Sequence, residues 1–262
     1  MRKIKEAKAA LEAEARENAK KEAQETKKKL EERAQREQET GMKAPGKAPE
    51  VIDPQEAKPL PKAQRNFTDP ESRIMRDGAH KGSFVQAYNC QIAVDDGAQI
   101  IVAIDVTQQA NDKEQLISMA EKIIENCGEL ADTISADAGY FSEEAVLAPL
   151  LKETNLLVPP NREKRTLAQA EEDKKKIPKK TAAEAMRAKL SSPEDKALYR
   201  MRKAIVEPVF GQIKEIRGYR RFLFRGLEAV KEEFALISLT HNLLKLFRSG
   251  KHCCRQEAAY AG

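Results

Sequence analysis

No apolar run in the chain approaches the roughly 18 residues of a membrane-spanning helix, so no membrane span is expected. Met1 to Ala10 mix Lys, Arg and Ala without an apolar stretch, which argues against a secretory signal. Cysteine is scarce. Cys90, Cys127, Cys253 and Cys254 contain no CxxC pair, so a zinc site is not expected, and thiols this sparse suit a reducing cytoplasm. Tryptophan is absent, and hydrophobic residues reach only 40% against 34% charged, leaner than an ordinary globular domain. The surplus charge is therefore expected in segments outside the core. No internal repeat is present.

What is there changes in texture along the chain. Residues 1–42 are built chiefly of Ala, Glu, Lys, Gln and Arg, which predicts a long charged helix. Between Arg2 and Glu39 the large apolar residues are only Ile4, Leu11 and Leu30, too few for a coiled-coil seam. Residues 43–64 carry Pro45, Pro49, Pro54, Pro59 and Pro61 and read as a linker. A single domain is expected over 65–247. Phe84–Val94 and Gln99–Val106 read as two strands joined by an Asp95-Asp96-Gly97 turn. Asn111–Asn126 has helical spacing, Thr133–Ala136 reads as a short strand, and Ser142 caps a helix running to about Lys152. Leu156–Val158 is a further strand, stopped by Pro159-Pro160. Residues 162–192 read as a charged excursion, Pro193–Phe247 as helical with one apolar face on Leu227–Phe247, and 248–262 as a tail. The order predicts an α/β fold with a mixed sheet flanked by helices.

Three features bear on chemistry. Asp137, in Ser-Ala-Asp-Ala-Gly-Tyr, stands at the end of a buried strand, where α/β folds place ligands. On spacing alone, an Asp that caps its own turn is the better account. Glu207 precedes Pro208, which should kink the helix; a Glu placed for the helix dipole is the plain alternative. Around Glu207 lie Lys196, Arg200, Arg202 and Lys203 on one side. Lys214, Arg217, Arg220, Arg221 and Arg225 lie on the other. Tyr199, Tyr219, Phe222 and Phe224 are interleaved, and local acids are few. Cations and aromatics in this mixture favour a polyanion over a merely solvated face, and the net charge of +5 is compatible with that. His241, within an apolar helix, reads as a hydrogen-bonded core residue. Carboxylates converging from distant segments would hold divalent ions for phosphodiester chemistry, with the basic patch holding DNA.

Several of these segments together resemble one family, the DDE transposases of bacterial insertion sequences. SADAGYF is similar to the second-aspartate motif, and YRMRKAIVEPVFGQIK to the glutamate motif with its Tyr, basic residue, Glu and Lys. NFTDPESRIM, QAYNCQIAVD, RGYRRFLFRGL and LTHNLLKLF resemble the flanking regions, so that the likeness covers most of Gln64–Phe247. It implies an RNase H-like fold and DNA cleavage and strand transfer dependent on Mg²⁺ or Mn²⁺. It implies Asp137 and Glu207 as catalytic and metal-binding carboxylates. It also implies DNA contacts by Tyr199 and Lys214, with Arg202 and Lys203 both near the place of the signature Arg. Arg217 and Arg221 are added from the basic patch.

The resemblance also implies a departure. The family's first Asp lies on a central strand ahead of a charged helical insertion, and no such strand precedes residues 1–42; Asp105 is the best substitute. A truncated or split transposase of impaired activity follows. The alternative is a non-catalytic DNA-binding remnant that regulates or inhibits a full-length transposase. The expected partners are DNA (element ends and target) together with a second copy or a full-length transposase, in the cytoplasm.

Overall fold

Strong helix formers uninterrupted by Pro or Gly fold Arg2–Thr40 into one 39-residue helix, α1. Its flank carries the (i, i+4) ion pairs Arg2–Glu6, Lys8–Glu12, Glu17–Lys21 and Arg33–Glu37. The computed structural model describes residues 1–40, 51, 53–61, 63–78, 80, 82–160 and 181–249, and the chain divides into two units, Met1–Pro70 and Glu71–Gly262. Within the first, Arg65 pairs with Glu14 at 2.9 Å, and Ala19 and Ala23 of α1 are buried. Residues 41–42 of the expected helix, 43–50 of the expected linker and 250–262 of the expected tail lie outside the described residues.

The second unit opens with β1 (Arg73–Arg76) and β2 (Phe84–Ala87), then β3 (Asn89–Val94) and β4 (Ile101–Thr107). The expected strand Phe84–Val94 is thus two strands. Phe84–Ala87 pairs backward with β1, and Asn89–Val94 pairs forward with β4, both antiparallel. Two partners on opposite sides of Tyr88 require the break. The β3–β4 turn forms where Asp95 predicts it, its carboxylate accepting from the Ala98 and Ile100 N–H groups.

Helix α2 (Gln115–Cys127) starts four residues later than the spacing predicts, because Asp112 is engaged elsewhere. Next come β5 (Thr133–Ser135), α3 (Glu143–Val146) and β6 (Asn155–Leu157). Ser142 caps α3, accepting from the Ala145 N–H at 3.1 Å. The helix expected to reach Lys152 stops at Val146, since Pro149 cannot continue it and a 3₁₀ turn takes over at Pro149–Leu151. Of the expected charged excursion, 161–180 lies outside the described residues, but Ala182–Lys189 is a helix, α4, started by a Thr181–Glu184 capping box. Met186 of α4 enters the core with Leu116, Leu151, Leu156 and Val158.

Helix α5 (Pro193–Gly211) runs through a π turn at Gln212–Ile216 into a loop and then α6 (Leu227–Arg248). The predicted apolar face of α6 is really two faces. Val230, Phe234 and Ile237 are buried, whereas Leu239, Leu243 and Phe247 are exposed.

Among the described residues the strands form three separate two-stranded sheets, with β5 and β6 parallel, rather than one mixed sheet. Side chains directly opposite in a ladder share a face. One face of β3–β4 (Cys90, Ile92, Ile104, Val106) therefore packs on residues of α5, the π turn and α6. The other carries Asn89, Gln91 and Asp105 toward α2 and the turns beyond. Helix α5 touches both β3 and β5.

Candidate active site and nucleic-acid interface

Asp137 sits just past β5 and caps the 3₁₀ turn Ala138–Tyr140, its carboxylate accepting from the Ala138 N–H at 2.8 Å. The turn-capping reading and the ligand-position reading therefore describe the same residue. The same oxygen, Oδ1, also faces α5, where the Arg202 guanidinium lies 3.6 Å away. That distance is an ion pair rather than a hydrogen bond. Arg202 also lies 5.6 Å from the ring centroid of Tyr199, and its Nε is buried without a hydrogen bond. Asp137, Arg202 and Tyr199 are thus brought together, and the inward basic residue is Arg202, while Lys203 is exposed.

Beside Asp137 lies a polar cluster that sequence reasoning misses. Gln91 is only 2% exposed; its Nε2 donates to Asp112 Oδ1 at 2.8 Å and its Oε1 accepts from the Tyr140 hydroxyl. Asn89 Nδ2 donates to the same Asp112 oxygen at 2.7 Å. A Cβ on Gly139 would stand 3.0 Å from Asp112 Oδ2, so any larger residue in the turn after Asp137 would press on the Asp112 carboxylate. Burial, and then the negative charges of Asp112 and Asp137, push the Tyr140 hydroxyl well above the ordinary tyrosine range, with Arg202 opposing. Tyr140 therefore stays a proton donor to Gln91. The available signal was Gln91 itself, a polar residue between Cys90 and Ile92 in the middle of a strand.

Glu207 is exposed on α5. Five residues turn a helix by about 140°, so Glu207 points away from the face on which Arg202 meets Asp137. Pro208 leaves the Ala204 carbonyl without its helical donor, and Gln99 Nε2 supplies one at 3.0 Å. Lys214 is exposed, its ammonium 5.1 Å from the centroid of Phe210. Arg217 reaches inward, donating to the Ile237 carbonyl at 3.3 Å and to Thr240 Oγ1, while stacking over Tyr219. Arg221 is exposed. Asp105, the substitute for a first aspartate, is engaged by Lys122 at 2.8 Å and faces α2.

A family model described as the transposase DDE domain matches residues 39–243. The chain belongs to that family. The matched span covers both the Asp137 turn and the whole of α5; DNA transposition, with DNA as substrate, is the activity of the family. No curated protein and no solved structure matches the chain. No described helix is long and apolar enough to cross a membrane.

The family uses divalent metal ions, and the residues here do not fit one. Asp137 already faces a guanidinium, Glu207 turns to solvent, and among the described residues no three His, Cys, Asp or Glu side chains gather closely enough to share an ion.

Proposed function

We propose that this chain is a DDE transposase core that binds DNA and does not cleave it by itself. Asp137 and Glu207 occupy the family's second and third carboxylate positions. The basic side chains of α5 and the loop beyond it, among them Lys203, Lys214 and Arg221, meet the phosphates. The single observation behind the reading is that the guanidinium of Arg202, on the helix bearing Glu207, stands 3.6 Å from Asp137 where the family would hold a cation. An RNase H-like reading of the fold is supported by α5 touching both β3 and β5, as though two sheet halves lay along one helix with a central strand to be supplied. A strand carrying an aspartate, from a preceding segment or a separate polypeptide, would complete both sheet and carboxylate set.

The test is incubation of the purified chain with labelled element-end duplex and Mg²⁺ or Mn²⁺. Binding that weakens steeply with salt, without strand cleavage, is the expected result. Metal-dependent cleavage that disappears in Asp137→Ala and in Glu207→Ala would overturn it. The regulatory reading is checked in the same assay, where added chain should inhibit a full-length transposase acting on the same ends.

A further inference from the structure

The loop between the π turn and α6 is held open in an unusual way. It starts at Gly218 and ends at Gly226, both left-handed, with φ of 77° and 87°. Arg217 ties its start to α6, and Glu71 accepts from the Leu227 N–H at 2.7 Å at its end. Its middle is clamped from beneath. Glu233 of α6 is only 8% exposed, and its carboxylate accepts from the Leu223 N–H at 2.9 and 3.0 Å and from the Phe224 N–H at 3.0 Å. Phe222 turns inward, edge-on to Phe234 at 6.2 Å. Leu223 and Phe224 are left outward, 82% and 61% exposed.

Placing a carboxylate in the interior is costly unless hydrogen bonds offset it. Here those hydrogen bonds fix the main chain that displays two large apolar side chains to solvent, the reverse of what burial favours. Arg221 and Arg225 flank the pair, both exposed and without an acidic partner among the described residues; Arg220 is paired with Glu215. An apolar tip between unpaired cations is complementary to a base step between phosphates, into which Leu and Phe wedges insert.

We propose that Leu223 and Phe224 form a wedge that enters a base step of bound duplex DNA, with Arg221 and Arg225 on the adjoining phosphates and Glu233 as the positioning residue. This rests on the DNA-binding reading above. The experiment uses the full chain and short duplexes in which 2-aminopurine replaces each adenine in turn, so that unstacking brightens its fluorescence. Saturating wild-type chain is expected to brighten one position. Leu223→Ser/Phe224→Ser should abolish that signal while affinity changes by less than about tenfold, the scale of 1.4 kcal/mol. Arg221→Gln and Arg225→Gln should each lower the slope of log K against log salt by about 0.9 and keep the signal at saturation. Glu233→Gln, folded by circular dichroism, should weaken the signal at saturation.

Salt-sensitive binding with no brightening, or brightening that persists in Leu223→Ser/Phe224→Ser, overturns the wedge and leaves DNA binding standing. Absence of salt-sensitive binding overturns both. A wild-type dimer that this double variant converts to monomer, with brightening unaltered, would make the tip a protein interface instead.

Discussion

Gln99 donates its side-chain N–H to the Ala204 carbonyl, the acceptor that Pro208 leaves empty one turn further along α5. The same side chain accepts from Lys245 at 2.7 Å, and its own carbonyl accepts from His241 Nε2 at 3.1 Å. A left-handed hairpin residue (φ 59°) thus joins the Pro208-bearing helix to α6. Gln99→Ala loses both side-chain bonds and keeps the left-handed strain that Gln99 already bears, so urea unfolding should show a loss of about 1–2 kcal/mol. Gln99→Gly should lose about 1 kcal/mol less, because it relieves that strain. Equal stabilities for the two variants would contradict this assignment.

His241 is 1% exposed, and burial, followed by the charges of Lys245 and Arg217, depresses its pKa below the ordinary histidine value, against the opposing hydrogen bond to Gln99. The folded protein therefore binds its proton less readily than the unfolded chain does. The stability that neutral His241 contributes is full above the unfolded pKa of 6.5 and is lost as pH falls below it toward the folded value. Urea midpoints between pH 8 and pH 5 should drop more for wild type than for His241→Gln. Parallel profiles would remove the histidine from the account.

Burial pushes the Cys90 thiol up to about 12 despite the Lys214 charge, whereas Cys127 is exposed at the end of α2. Iodoacetamide at pH 8 should label Cys127 in the native protein and reach Cys90 only after denaturation. Peptide mass mapping with and without urea reads this directly; native labelling of Cys90 at the rate of Cys127 would show that β3 is open.

Replacing Gln91 by Leu removes the bridge between Tyr140 and Asp112, takes from the Tyr140 hydroxyl the acceptor it has there, and leaves Asp112 Oδ1 with Asn89 as its remaining side-chain donor. A loss of about 2–3 kcal/mol is expected in chemical denaturation. Gln91→Leu combined with Tyr140→Phe should recover part of it, since the hydroxyl no longer needs an acceptor. Strict additivity in that cycle would place the two residues apart.

The parts of this fold legible in the sequence are those decided by near neighbours. Ser142 caps α3 through an N–H three residues on, Asp95 closes its hairpin, and Asp137 turns the chain through the next residue's N–H. The break at Tyr88 depends instead on which strand each half of 84–94 meets, and β1 is too short and half-polar to announce itself. Asp112 escapes notice for a similar reason. Its partners Asn89 and Gln91 lie more than twenty residues away, and Asn111-Asp112 before a helix reads as a local start signal. Of the candidate site, Asp137, Tyr199 and Arg202 come together, while the outward turn of Glu207 follows from helical phase relative to a contact that only the tertiary structure defines. Arg217, one cation among many in the sequence, has its guanidinium committed to α6.

Helix α1 owes its form to residue chemistry and to pairs along its own surface far more than to a core. At a rise of 1.5 Å per residue, it extends about 58 Å. Melting should accordingly proceed from its ends as a broad helix–coil change, sensitive to added salt, with no sharp midpoint of its own. A rod of this kind tolerates deletion of whole turns with a proportionate change in reach, which makes its length an adjustable spacing in the polypeptide.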